Sequence, residues 1–180
     1  MKKKLTSKKI KIIRTCLKKV FILENLKVID ERGYLVKTFS KPNFKKLNLL
    51  TNFKESLYTF SKKNVIRGMH YHGSHSKNAK LISVVQGKIL DVVLDISRKK
   101  TFFFSTVLSD KNCRSLYVPE GFAHGFLCLS KTAIVSYQLT SVFKKTYDKG
   151  IAYNSFGFKW PVNKPIISKK DMLLPKFYEL

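Results

Sequence analysis

Acidic residues are scarce in this chain. Asp and Glu number 11 against 36 Lys and Arg, for a net charge of +25 over 180 residues. Such an excess raises nucleic acid as a partner, because phosphates steer basic proteins. The lysines are scattered, however: KKK at 2–4, then pairs at 45–46, 62–63, 99–100, 144–145 and 169–170. No helix-turn-helix, zinc-finger or RNP-like string accompanies them, so no nucleic-acid partner is expected. The charge is read as spread over the solvated surface, with some use in attracting a small anion. Cysteine is also sparse. Cys16, Cys113 and Cys128 are odd in number and lack CxxC spacing, which argues against a disulfide framework and for free thiols in a reducing compartment. No apolar run approaches the ~18–20 residues a membrane helix needs. The first 20 residues hold eight lysines and Arg14. Lys9, Lys11, Arg14, Lys18 and Lys19 interrupt any signal-peptide core there, so a cytoplasmic protein with no membrane partner is expected. Linkers, internal repeats and low-complexity segments are absent as well.

What is present is enough apolar material for one core: 44% hydrophobic and 13% aromatic residues. We read residues 1–20 as a basic N-terminal arm, frayed or forming a short helix, and 21–180 as a single domain. Short alternating segments recur at intervals of roughly ten residues. Strands are expected near 20–23, 26–29, 34–39, 53–60 and 65–72, then two around Gln86-Gly87 within 81–97. Further strands are expected at 102–109, 114–119, 126–130 and 133–140, with 73–78 a polar loop and 141–150 another loop. Helix is limited to a short piece within 41–52 and one near 168–173, where Ser168 can cap with Asp171 three residues on. The pattern implies an all-β sandwich or barrel.

Two segments carry chemistry. VIRGMHYH (65–72) holds Arg67, a glycine and two histidines. In a strand, His70 and His72 face the same way, and Gly68 allows close approach of a ligand or strand. VPEGFAHGF (118–126) adds His124 after a Pro-x-Gly turn. At the mouth of a jelly roll, His70, His72, Lys80 and His124 can converge. One chemistry is proton transfer next to a ketone. His70 is then the base, Lys80 the enolate stabiliser, Tyr137 the acid and Arg67 a bidentate grip on a diphosphate, with no metal. The other is a metal site on His70, His72 and His124, although the carboxylate usual after HxH is missing from GSHSKNAK. Any of these side chains can instead be an ordinary hydrogen-bonded strand residue.

The strings DERGYL (30–35), VIRGMHYH (65–72), KLISVVQGKILDVVLDI (80–96), LYVPEGFAHGF (116–126), SYQLT (136–140) and FKWPVNKPIISKKD (158–171) go further. Together they resemble the dTDP-4-dehydrorhamnose 3,5-epimerase family, from about Phe21 to Leu174. The resemblance implies a cupin-type jelly-roll β-barrel with a few short peripheral helices. It also implies a homodimer with exchanged N-terminal strands, no cofactor, and a nucleotide-diphosphate 4-keto-6-deoxy sugar substrate in surface polysaccharide synthesis. By position, His70 matches the catalytic base, Tyr137 the general acid, Lys80 the lysine near the ketone and Asp91 a carboxylate in the same pocket. Arg67 and Arg32 match diphosphate-binding arginines, Arg32 from a neighbouring subunit, and His124 the AHGF histidine. Several positions depart from the family. Its WND string reads YNS, putting Ser155 where the aspartate partner of the catalytic histidine is expected; His72 replaces a glutamine, Phe143 a tyrosine and Glu55 a glutamine. A serine cannot stabilise an imidazolium by charge, and Glu55 is expected to repel a diphosphate. The alternatives are therefore a single-centre epimerase or ketoisomerase of a related nucleotide sugar, or a metal-dependent cupin using His70, His72 and His124.

Overall fold

The structure, a computed structural model, describes all residues except 1–3, 6–8, 74–77, 98–99 and 180. Most of the polar loop expected at 73–78 therefore lies outside the described residues. The strands, in chain order, are β1 (Lys4–Leu5), β2 (Lys11–Arg14), β3 (Phe21–Glu24), β4 (Leu26–Asp30), β5 (Gly33–Lys37), β6 (Glu55–Lys62) and β7 (Ile66–His72). They continue as β8 (Lys80–Gln86), β9 (Lys88–Asp95), β10 (Phe102–Ser109), β11 (Arg114–Val118), β12 (Phe122–Cys128), β13 (Thr132–Leu139) and β14 (Asp148–Gly150). Among the described residues, helix is confined to α1 (Lys41–Lys46), α2 (Lys169–Met172) and a 3-10 turn at Phe177–Glu179.

A five-stranded sheet, in the order β10-β9-β12-β7-β14, faces a six-stranded sheet, β2-β3-β11-β8-β13-β6. The strands pair antiparallel, and the architecture is the all-β, cupin-type jelly roll expected. Strand alternation explains why the two faces close on each other. Along β8, Ile82 and Val84 point inward with Lys80; along β9, Ile89 and Val93 do so with Asp91; along β13, Ala133 and Val135 do so with Tyr137. These apolar residues form the central core with Leu116, Phe126 and Cys128. Each strand thus places apolar residues in the core and one polar residue in the same row: Lys80 and Tyr137 at an end of theirs, Asp91 between Ile89 and Val93. Outside the five-stranded sheet, the C-terminal segment lays Phe156, Phe158, Trp160 and Phe177 over Met69, Val92 and Leu94. A third cluster packs Phe44 of α1 with Leu23, Leu81 and Tyr117.

Three local expectations change. The basic arm is not loose throughout, because β2 pairs with β3 at the edge of the six-stranded sheet. The alternation KIKIIR prevails over its charge: Ile10 is buried, while the lysines face out. β12 begins at Phe122, four residues before the strand expected at 126–130, because Ala123 and His124 already pair with β9. The 141–150 loop ends in β14, which borders β7 and pairs Gly150 with His70. Among the described residues, no helix is long and apolar enough to cross a membrane.

Candidate active site

One cavity of about 550 Å³ opens between the sheets. From the five-stranded sheet it is lined by Arg67, His70, His72 and His124, and from the six-stranded sheet by Lys80 and Tyr137. Strict alternation would put Arg67 and His70, three residues apart, on opposite faces. The pairing of β7 with β12 slips between them: His124 lies opposite His70, and Phe126 opposite Arg67. Such a bulge re-aims the strand and brings both side chains to the cavity. It depends on glycine. Gly68 has φ +126°, and a Cβ on it would lie 2.5 Å from the Cα of Gly125.

His70 is held by the tail. Its Nε2 lies 2.8 Å from Oδ1 of Asp171, whose side chain is only 6% exposed. The Gly68 N–H donates to Asp171 Oδ2 at 3.4 Å. Burial alone would raise the Asp171 carboxyl, but the hydrogen bond and charge of His70, the Gly68 amide and Lys170 hold it below the usual carboxylate range. Asp171 is therefore an anion at neutral pH, placed to orient His70 and to stabilise the imidazolium that forms when it takes a proton.

The cavity residue that sequence reasoning misses is Asp171. It closes the string FKWPVNKPIISKKD, where the sequence marks it only as the third residue after the Ser168 cap. Ser155 does not occupy the place of a dyad carboxylate. Its Oγ donates to the Ala152 carbonyl at 2.8 Å and accepts the Phe177 N–H at 2.9 Å, and it does not line the cavity. The physical reason is that the tail, not the 152–155 turn, reaches the rim of β7.

Lys80 is buried, and its Nζ donates to the His70 carbonyl at 2.9 Å. Burial pushes its ammonium down to about 8, against the charges of Asp148 and Asp91. Tyr137 faces His124 edge-on, ring centroids 6.0 Å apart. Burial, then the Asp91 charge, push its hydroxyl well above the usual phenol range, so it is a protonated donor at neutral pH. Asp91 is not on the cavity surface, contrary to its expected place in the pocket. It is wholly buried behind His124, with Oδ1 2.9 Å from His124 Nε2, and burial raises its carboxyl.

Arg67 lines the cavity with its Nε on Ser61 Oγ and its Nη2 on the Phe60 carbonyl, each at 2.9 Å. His72 lies against Ser141 Oγ at 3.2 Å and Asn78 Nδ2 at 3.4 Å. Its imidazole is shifted down by burial and then by Lys80. Arg32 is outside its own chain's cavity, in the turn between β4 and β5, 79% exposed and paired with Asp30. Glu55 does not stand in the cavity as a free repelling charge; its Oε1 accepts the Phe143 N–H at 2.9 Å. The three histidines of the metal alternative do not converge as ligands, and no group of three or more His, Cys, Asp or Glu among the described residues is arranged to hold a metal ion. The arrangement offers a histidine–carboxylate base on one sheet and a phenol acid with a lysine cation on the other, across one cavity. That suits removal of a proton from one face of a ring and its return to the other.

Comparisons with known proteins agree with this chemistry. The family model described as dTDP-4-dehydrorhamnose 3,5-epimerase matches residues 14–179. The dTDP-4-dehydrorhamnose 3,5-epimerase of Methanothermobacter thermautotrophicus is 36% identical, over 89% of this chain and 91% of its own. That of Salmonella typhimurium is 34% identical over 91% and 93%. The Bacillus anthracis epimerase, solved with TDP and PPi bound, superposes with a TM-score of 0.88 at 33% identity, covering 93% of this chain and 99% of that one. The Legionella pneumophila enzyme, solved with dTDP-4-keto-L-rhamnose, gives 0.87 at 30% identity, covering 93% of each chain. Chain-long matches of this kind, over the cavity that holds His70, Lys80 and Tyr137, show that the chain belongs to the dTDP-4-dehydrorhamnose 3,5-epimerase family and is a carbohydrate epimerase.

Proposed function

We propose that the substrate is a dTDP-linked 4-keto-6-deoxy sugar and that inversion occurs at the carbons flanking the C4 ketone. The observation that carries this reading is the placement of the His70–Asp171 pair and Tyr137 on facing sheets of one cavity. His70 removes the acidic proton alpha to the ketone, and Asp171 orients it and balances its charge. Lys80, as a cation, steadies the enolate oxygen. Tyr137 protonates the carbon from the opposite face. His124, held by Asp91, and His72 shape the polar wall around the sugar. Arg67 takes the diphosphate. None of these steps calls on a cofactor, and the protein acts in the cytoplasm in supplying sugar for surface polysaccharide.

The functional unit is a homodimer in which the N-terminal hairpin reaches the neighbouring subunit. Ile29, Tyr34 and Leu35 are 37%, 55% and 58% exposed on the β4–β5 hairpin, an apolar ribbon that a second copy would cover. Arg32 at its turn would then meet the partner's diphosphate.

Incubation in D2O with dTDP-4-keto-6-deoxyglucose, followed by NMR at C3 and C5, tests the reaction. Deuterium at both carbons with inversion is expected. Deuterium at one carbon would make the protein a single-centre epimerase, carbonyl migration a ketoisomerase, and the absence of exchange would overturn the substrate.

A further inference from the structure

The carboxylate that serves His70 rides on a thin piece of chain. α2 spans only Lys169–Met172. So short a helix is not stable on its own and must be held from outside. It is held on both sides. Upstream, Ile166 exchanges backbone hydrogen bonds with β7 and its approach: Ile66 N to Ile166 O at 3.0 Å, and Ile166 N to Asn64 O at 2.9 Å. Ser168 then accepts the N–H of Asp171 itself on its Oγ at 3.0 Å. Downstream, the 152–155 turn catches the chain twice. The Ala152 N–H donates to the Pro175 carbonyl at 2.8 Å, and the Phe177 N–H donates to Ser155 Oγ at 2.9 Å. The Ser155 hydroxyl hydrogen is committed to the Ala152 carbonyl, so one side chain closes the turn and clamps the tail together. Between the clamps, Leu174 packs against Gly150, the residue opposite His70, so closely that a Cβ there would lie 2.6 Å from Leu174 Cδ1.

We propose that Ser155 and Ser168 are positioning residues for the epimerisation, pinning the tail on either side of Asp171 so that its carboxylate stays on His70. The proposal rests on the His70–Asp171 pair being the base. Ser155 does not line the cavity, and its Oγ ties Phe177 of the tail to the 152–155 turn, so its effect on the site is indirect. A dyad tolerates little displacement: a shift of about 1 Å can cost on the order of a hundredfold in rate.

The test is a double-mutant cycle with steady-state kinetics on the full chain. Ser155→Ala is expected to lower kcat roughly tenfold with KM nearly unchanged, a fraction of the loss that a full dyad displacement brings. Ser155→Thr, which keeps the hydroxyl, is expected to restore most of it. In an Asp171→Asn background, Ser155→Ala is expected to lower kcat no further, because the carboxylate it positions is already gone. An equal loss in that background, or a lower melting temperature with kcat intact, would overturn the proposal. If Ser155→Ala does not fold, Ser168→Ala in the same cycle decides it. Full activity of Asp171→Asn alone would instead defeat the dyad reading itself.

Discussion

Asp171 meets His70 at 2.8 Å across 101 residues of sequence, joining the C-terminal segment to β7 of the five-stranded sheet. On the proposed reading this pair is the base, and the tail that carries Asp171 is tied at Ile166, Pro175 and Phe177.

Replacing Asp171 by Asn keeps the shape of the side chain but removes the charge that balances an imidazolium. Loss in kcat of about 10²–10⁴ is expected, the range for general-base catalysis, with binding of dTDP little changed. The carboxyl is held below its ordinary 3.8, so its stabilising contribution is present above that pH and is lost as pH falls through the depressed value. Acid denaturation of Asp171→Asn should therefore show a smaller loss of stability below pH 3.8 than the parent.

Tyr137→Phe should separate proton removal from inversion. His70 is untouched, so deuterium still enters from D2O, but return from the far face is lost. Inversion is expected to fall by about 10²–10⁴ while exchange with retained configuration persists. Equal loss of both would mean Tyr137 is not the acid.

Lys80 predicts opposite pH trends for activity and stability. Its ammonium loses its proton near pH 8, so kcat/KM should decline above that value as the enolate loses its cation. Stability should move the other way. Between about 8 and the unfolded value of 10.5, the unfolded chain binds the extra proton, so this lysine makes stability rise with pH. Urea titrations of the parent and Lys80→Gln across that window check the sign: only the parent carries this slope, and the two slopes should converge above 10.5.

The exchanged hairpin can be tested by complementation. Arg32→Ala and His70→Ala chains are each expected to be inactive or weak alone. If Arg32 serves the neighbouring subunit, a hybrid dimer contains one site with both residues intact. Random mixing should then restore about a quarter of the parental sites. No recovery on subunit exchange would place Arg32 at its own site or at none.

Gly68→Ala should disrupt the packing of β7 against β12. Its φ of +126° and the 2.5 Å approach to Gly125 leave no room for a methyl group. Destabilisation of about 3 kcal/mol or more is expected, by thermal denaturation.

The sequence by itself determined the strand rows and their inward faces. Ile82, Val84, Ile89, Val93 and Val135 recur with period two, and that period decides which neighbours share a side wherever one face is buried. It likewise determined Lys80, Tyr137 and the paired facing of His70 and His72, because each lies on a row that the apolar residues orient. It made the cap at Ser168 legible, since capping spans only three residues. Only the tertiary structure decided what meets across long loops. Arg67 joins His70 through a slip in pairing against Gly125, a relation between two strands that no single strand's period carries. Asp91 turns to His124 and not to the cavity, because both lie on neighbouring strands of the same sheet. Asp171, not residue 155, reaches His70 because the tail folds back along β7, and the energy of that return comes from backbone bonds and packing at Ile166, Pro175 and Phe177 that leave no local mark in the chain.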